Sequence, residues 1–336
     1  MILEIGCVRV SRTSRIVLNI LLTSASSILC LPSYAQVTNV NTFETSAGTY
    51  SDTAGKASYR IDSNAYTEPR DTFKLSPSIK NGNEVGWINN WFRTVDRARA
   101  SQPHFTAPIV TTHVMLVQQY RYDMSWQQDA GASTVTSNYG ASRGLEVIPS
   151  TRLEAGISPP NYLVHQSNVK DGIGDLAWQV KFRAFSATEH KGDYFVGFFL
   201  GGTFPAGTRP NGTGHATMSP TFAAAKGIGP WDIQSTIGGI LPLSGTSTLG
   251  RTVVFNTAIN YRIRGEVWPM LEQNSTFWSG GAMGGKKQVF LTPGLVLGSV
   301  PLDRRLRIAV GGGFQTAVTS YHQYNHRWIL SVRFPF

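Results

Sequence analysis

Few residues of this chain combine a reactive type with a useful spacing. Ser320 and His322 are two apart and would share one face of a strand, where a histidine base could reach a serine hydroxyl. No obvious carboxylate or amide nearby would orient the imidazole, so a pair of polar loop residues is the better reading. His322 and His326 are four apart, a metal-ligand spacing on a helix that has no geometric meaning on extended chain. Gly280–Gly285 reads GGAMGG but precedes a strand-like segment, so the following helix that a phosphate loop requires is missing. No cofactor or metal motif stands out. What remains is a set of cations on the polar faces of alternating segments: Lys181, Arg183, Arg262, Arg264, Arg305, Arg307 and Arg333. Gathered at one rim they would make a basic mouth whose field favours anionic solutes such as aromatic carboxylates. Strand-end arginines more commonly touch anionic head groups or satisfy rim carboxylates.

The elements that must carry these residues are strands. In the closing stretch HRWILSVRFPF, Trp328, Leu330, Val332, Phe334 and Phe336 lie on one face, with Arg327, Ser331 and Arg333 on the other. Only Ile329 breaks the alternation. Period two with large apolar residues on one side marks a strand between an apolar and a wet environment. In water such an edge invites aggregation, whereas in an outer-membrane barrel it faces lipid outside and water inside. The terminal Phe336 resembles the signal read by the barrel assembly machinery.

Similar alternation recurs upstream. Val253, Phe255, Ile259, Tyr261 and Ile263 oppose Thr252, Asn256, Asn260, Arg262 and Arg264. Leu176, Trp178, Val180 and Phe182 oppose Asp175, Gln179, Lys181 and Arg183. Further segments at 107–124, 144–154, 193–204, 217–227, 231–242, 265–277, 286–299 and 304–317 bring the count to eleven. Even strand numbers in single-chain barrels point to about twelve, the missing one expected between Phe73 and Arg93. The links at 187–192, 228–230, 264–265 and 300–303 are short, while those at 155–173, 205–216, 243–251 and 278–285 are longer. That alternation is the turn-and-loop asymmetry of outer-membrane barrels, and it would place the C-terminus in the periplasm. The segment 125–143, which ought to be a short turn, is an exception.

The N-terminal end carries a different signal. Arg9, Arg12 and Arg15 precede an apolar run from Ile16 to Leu31, and Ser33-Tyr34-Ala35 offers a cut before Gln36. This is the layout of a secretory signal peptide over 1–35, and both cysteines, Cys7 and Cys30, would leave with it. Residues 36–72, rich in Ser, Thr, Asn and Gly, read as a flexible arm or a plug, and 73–336 as the barrel. Trp87–Ala100 is either a short amphipathic helix or the first strand. The fold class is therefore all-β: a transmembrane antiparallel up-and-down barrel of about twelve strands, with an exported soluble sandwich as the competing architecture. The formal net charge of +10 does not make this a nucleic-acid binder, since no binding motif accompanies it and export argues against one.

The runs DGIGDLAWQVKFR (Asp171–Arg183) and VFLTPGLVLG (Val289–Gly298), with the closing strand, resemble the MetA-pathway of phenol degradation family over roughly 107–336. The resemblance implies an outer-membrane barrel that helps small hydrophobic or aromatic compounds cross, with no cofactor and no catalytic residues to carry over. Its expected partners are outer-membrane lipids, the assembly machinery and the solute, with no nucleic acid. The alternatives are a non-transporting envelope or ligand-binding barrel, and less favourably a lipid hydrolase.

Overall fold

The structure, a computed structural model, describes residues 83–140, 143–263 and 266–336. The expected signal peptide and the arm over 36–72 lie outside these. Its fifteen ladder segments form twelve barrel strands, because three strands are each interrupted once. We number them β1 (Gln119–Asp129), β2 (Val135–Tyr139 and Leu145–Ser150), β3 (Leu153–Ser158 and Tyr162–His165) and β4 (Gly172–Ile173 and Leu176–Ala187). The uninterrupted β5 (Tyr194–Phe204), β6 (Thr217–Ile228), β7 (Trp231–Pro242) and β8 (Arg251–Tyr261) follow. The last four are β9 (Val267–Ser279), β10 (Lys287–Pro301), β11 (Arg307–Ala317) and β12 (Tyr324–Pro335). Each pairs antiparallel with the next, and β12 returns to β1 in a register running from Gln119↔Pro335 to Asp129↔Tyr324. The sheet is a closed up-and-down barrel of the class the alternation predicts.

Inside and outside are sorted by side-chain type. On β8, Val253, Phe255 and Ile259 stand exposed on the outer wall, while Thr252 and Asn260 are buried in the lumen. Phe182, Phe198, Phe222, Ile237, Leu271, Leu295 and Trp328 continue the apolar exterior around the barrel. The buried polar set, including Gln119, Arg121, Glu154, Lys181, Gln234, Glu272, Gln315 and Arg333, fills the lumen. This is the inverse of a water-soluble globule, in which a continuous exposed apolar belt of this extent is not tolerated. No described helix is long and apolar enough to cross a membrane. The longer connections, 205–216, 243–250 and 280–286, lie at the end opposite Phe336, in keeping with the loop asymmetry.

Two expectations are corrected. The twelfth strand is not between Phe73 and Arg93: the described part of that stretch belongs to helix α1 (Asn83–Arg99). It is β3, which falls mostly within 155–173, where Pro159 and Pro160 interrupt the ladder and break the alternation. The strand expected at 107–124 begins only at Gln119. Residues 100–118 before it form an irregular strap inside the barrel, and the exceptional 125–143 stretch holds the end of β1 and the first segment of β2.

Candidate functional site

The strap is the feature on which any function of this lumen turns. It contains Pro103 and Pro108 and belongs to neither helix nor sheet, so its backbone polar groups need partners from elsewhere. The barrel wall supplies them from several strands.

Amides are taken by carboxylates and amide oxygens. Glu272 on β9 is fully buried and its carboxylate accepts three successive backbone N–H groups, from Ile109 at 2.6 Å, Val110 at 3.1 Å and Thr111 at 2.6 Å. Glu154 on β3 accepts from Val117 N at 2.5 Å. Gln234 on β7 works in both directions, accepting from Val114 N and donating to Thr106 O at 2.7 Å. Carbonyls are taken by guanidinium groups. Arg121 on β1 donates to Pro108 O at 3.0 Å and Ile109 O at 2.5 Å. Arg143 reaches Val110 O at 2.9 Å, and Arg333 on β12 reaches Ala107 O and Pro108 O. Thus the stretch 107–111 is hydrogen-bonded almost entirely by side chains of the wall. Charge-assisted bonds of this kind are the stronger ones and fix orientation as well as position. Asp123, 2.8 Å from Arg121 and 3.4 Å from Arg143, balances the local charge.

Packing complements the polar contacts. Ile109 lies in a slot above two lumen-facing glycines: a Cβ on Gly294 would sit 2.4 Å from its Cδ1, and one on Gly313 would sit 3.1 Å away. Ile329, the one residue that broke the alternation of β12, faces inward and packs in the same cluster with Ile109, Trp268, Met270 and Val296. On the other side, Val114, Met115 and Leu116 join Phe195, Phe199 and Ala223 in an apolar cluster completed by Val95 and Ala98 of α1.

Helix α1 forms because Trp91, Val95 and Ala98 repeat at helical spacing and bury one stripe. Trp91 Nε1 donates to Ile148 O at 2.8 Å. At its C-terminal end Arg99 donates to Gln118 O at 3.0 Å and to Phe336 O at 2.8 Å, the carbonyls on either side of the β1–β12 seam. Near the start of the strap, His104 Nδ1 lies 3.0 Å from Glu189 in the β4–β5 turn. That hydrogen bond raises the His104 pKa above its ordinary value and holds the Glu189 carboxyl down at about 2.

The cations singled out in the sequence take up distinct posts. Lys181 is 1% exposed, 2.7 Å from Glu154 and 3.5 Å from Glu146. Arg183 donates to Ala98 O of α1 and to Thr151 O. Arg305 forms a two-bond pair with Asp96 of α1, at 3.1 and 2.7 Å, and stacks over Phe92. Arg307 donates to Ser299, and Arg262 lies over the Trp268 ring. Arg333 is buried against the strap, and Arg264 lies outside the described residues. Of the closing-strand set, Trp328 stands 59% exposed on the outer wall, and Leu330, Val332 and Phe334 follow at period two. Phe336 lies just past that strand, its N–H donating to Gln118 O at 3.1 Å.

The His322 ring nitrogens turn to partners other than Ser320, lying 3.0 Å from Thr319 O and 3.0 Å from Asn325 Oδ1. Among the described residues no group of three or more His, Cys, Asp or Glu is placed to hold a metal ion. What sequence reasoning missed is the strap and its partners Glu272, Glu154, Gln234, Arg121 and Arg143. The available signal was a charged residue isolated on a strand's inner face, as Glu272 is beside outward Leu271.

No family model and no curated protein matches this chain. Among solved structures it is similar to the COG4313 outer membrane channel from Pseudomonas putida F1, with 13% identity and a TM-score of 0.46 over 69% of this chain and 100% of that one. It is also similar to the NanC porin, at 7% identity and a TM-score of 0.42 over 64% of this chain and 98% of that one. The translocator domain of the autotransporter NalP from Neisseria meningitidis follows at 11% identity and a TM-score of 0.38, over 75% of this chain and 97% of that one.

Proposed function

We propose that this protein is an outer-membrane channel for small hydrophobic or aromatic compounds, gated by its own strap. The observation that carries the reading is the pairing of an apolar exterior with a polar lumen crossed by a non-repetitive segment. Hydrogen bonds from wall side chains, unlike a sheet ladder, can be exchanged one at a time, and this suits a segment that must move aside. Helix α1 and the strap sit at the end where β1 begins and β12 finishes, which in this reading is the periplasmic end. Membrane lipids and the assembly machinery are the partners it requires, and the chain does no catalysis. The resemblance to the phenol-degradation family supports the choice of solute class.

The test is reconstitution. A mature protein that fractionates with outer membranes, migrates faster unboiled and conducts ions in planar bilayers fits the proposal. A soluble protein without a heat shift overturns it. A basic mouth favouring anions is tested by the reversal potential under a salt gradient, where a cation preference sinks it. The second reading, a ligand-binding barrel that does not transport, is favoured by the tightly filled lumen at strap height, and it predicts ligand binding without conductance.

A further inference from the structure

The cations at strap height are committed. Arg121, Arg143 and Arg333 hold strap carbonyls, and Lys181 is shared by Glu154 and Glu146. Arg327 on β12 is placed differently. It faces inward two residues from Ile329, on the side of the strap nearer the long loops, and pairs across the seam with Gln127 of β1. Among the described residues it forms no ion pair. One guanidinium nitrogen donates to Gln315 Oε1 at 2.6 Å, an oxygen that also accepts from the Tyr324 hydroxyl. Its Nε is buried and has no hydrogen-bond partner. A neutral amide oxygen shared by two donors is a poor match for a planar cation that can grip a carboxylate with two parallel bonds.

The neighbours of Arg327 suit an anion as well. Ser125 on β1 is 2% exposed, and its hydroxyl is also without a partner. Ser125 pairs with Ile329 and Gln127 with Arg327, so Ser125 lies diagonal to the guanidinium, within reach of a long side chain. Across β1 the register sets Asn138 against Ser125 and Thr136 against Gln127. The carboxylates nearest along β1 are engaged: Asp123 by Arg121 and Arg143, Asp129 by Thr134 and Thr136. Tyr324 steadies the cation, which lies 5.0 Å from the centre of its ring, and that ring stacks on Phe290 at 4.4 Å.

Arg327 also stands at the head of a chain of side-chain hydrogen bonds that reaches the strap. Gln315 Nε2 donates to Asn274 Oδ1 at 2.9 Å. Asn274 Nδ2 donates to Thr111 Oγ1 at 3.3 Å and to Asn256 Oδ1 at 3.1 Å, and Asn256 Nδ2 donates on to Thr236. Each amide accepts from the β12 side and donates away from it, an arrangement in which successive bonds polarise one another.

We propose that Arg327, with Ser125 and Gln127, is a carboxylate-binding site on the loop side of the strap, and that a solute bound there draws the guanidinium from Gln315 and loosens the hold on Thr111. The proposal rests on the channel reading, and names for it a substrate class, small aromatic carboxylates, and the place where solute meets gate. A belt of amides that only braces the wall is the competing explanation. Two buried donors left without partners, Arg327 Nε and the Ser125 hydroxyl, favour a ligand, because such donors are costly unless something fills them.

The probe is 4-fluorobenzoate, titrated into reconstituted barrels and followed by fluorine NMR, with 4-fluorobenzyl alcohol as the uncharged control. Wild type should bind the carboxylate saturably and the alcohol at least tenfold more weakly, and Arg327→Gln should abolish the difference. Maleimide labelling of Val110→Cys, assigned to that position by mass spectrometry, reads the strap. It should accelerate several-fold with saturating carboxylate, and stay constant when Arg327→Gln is added. Equal affinity for carboxylate and alcohol, or binding that Arg327→Gln leaves intact, overturns the site. Binding without faster labelling overturns the coupling. Conductance of the wild type in planar bilayers separates the two levels. A conducting barrel that ignores the carboxylate overturns the site alone, whereas one that binds without conducting keeps the site and overturns the channel. Should Arg327→Gln lose its heat-modifiable mobility, Ser125→Ala, outside the amide belt, decides: several-fold weaker binding supports the site and unchanged binding overturns it.

Discussion

Replacing Glu272 by Gln converts one oxygen of the strap's central anchor into an amino group while barely changing its size. In the native protein the carboxylate oxygens receive Ile109 N and Thr111 N at 2.6 Å each, and Val110 N at 3.1 Å from both. Glutamine keeps one acceptor, so either Ile109 or Thr111 loses its partner and meets a donor in a fully buried place. A charge-assisted hydrogen bond contributes about 1.5–3 kcal/mol, and an unsatisfied buried donor costs about 1–3 kcal/mol. Docking of the strap should weaken by roughly 3 kcal/mol, about a hundredfold in the docked-to-released ratio at roughly 1.4 kcal/mol per factor of ten. The assay uses Thr111→Cys, at a position 0% exposed, labelled with a membrane-impermeant maleimide in reconstituted barrels and compared with the same cysteine in the native Glu272 background. Labelling should accelerate about a hundredfold when Glu272→Gln is added, with more frequent opening events in single-channel records. Unchanged labelling, in a barrel whose heat-modifiable mobility shows it still closed, would refute the idea that Glu272 holds the strap.

Other substitutions probe the remaining anchors. Lys181→Met leaves Glu146 and Glu154 buried without their shared cation, and should destabilise the barrel by about 3–5 kcal/mol in denaturant titrations. Adding Glu154→Gln should recover part of that loss, and strict additivity would contradict the coupling. Arg99→Ala removes the donor shared by Gln118 O and Phe336 O, so the heat-modifiable shift should occur at lower temperature, reflecting about 1.5–3 kcal/mol. The His104–Glu189 contact gives a pH dependence outside the strands. The His104 pKa is raised on folding, so its contribution is complete below about pH 6.5 and fades as pH rises through the folded value. Glu189, held at about 2, loses its share only as pH falls toward that value. Protease cleavage near His104 should therefore be slower at mildly acidic than at mildly alkaline pH, and His104→Gln should flatten the profile.

The uninterrupted strands from β5 to β12 were legible because each is bounded on one side by the apolar exterior, which enforces period two over eleven or more residues. Of the interrupted ones, β3 was not, whereas the long segment of β4 and the second segment of β2 matched the alternation around 174–186 and 144–154. Between Tyr139 and Leu145 the β1–β2 ladder is broken, and Pro159, Pro160 and Gly174 extend the disturbance across β3 and β4. The cost in legibility has a structural return, since the break in β2 is where Arg143 turns in to hold Val110 O and approach Asp123. A regular strand with strict alternation could not add that third cation to the group around the strap.

The strap itself carries no periodic signal for a physical reason. Its hydrogen bonds run to side chains scattered from Arg121 to Arg333, so nothing in residues 100–118 repeats. Such a segment is legible only through its partners, from ionisable residues set alone on inward faces. Lys181, Arg183 and Arg333 were visible that way, but sequence shows the cation and not its partner, a carboxylate for Lys181 and backbone carbonyls for Arg183 and Arg333. Glu272 completes the logic: one carboxylate among the cations of this lumen takes three amides of a chain whose carbonyls the arginines hold. The charge pattern of the lumen is thus matched to a peptide backbone, donors to carbonyls and acceptors to amides, and that match specifies where the strap lies.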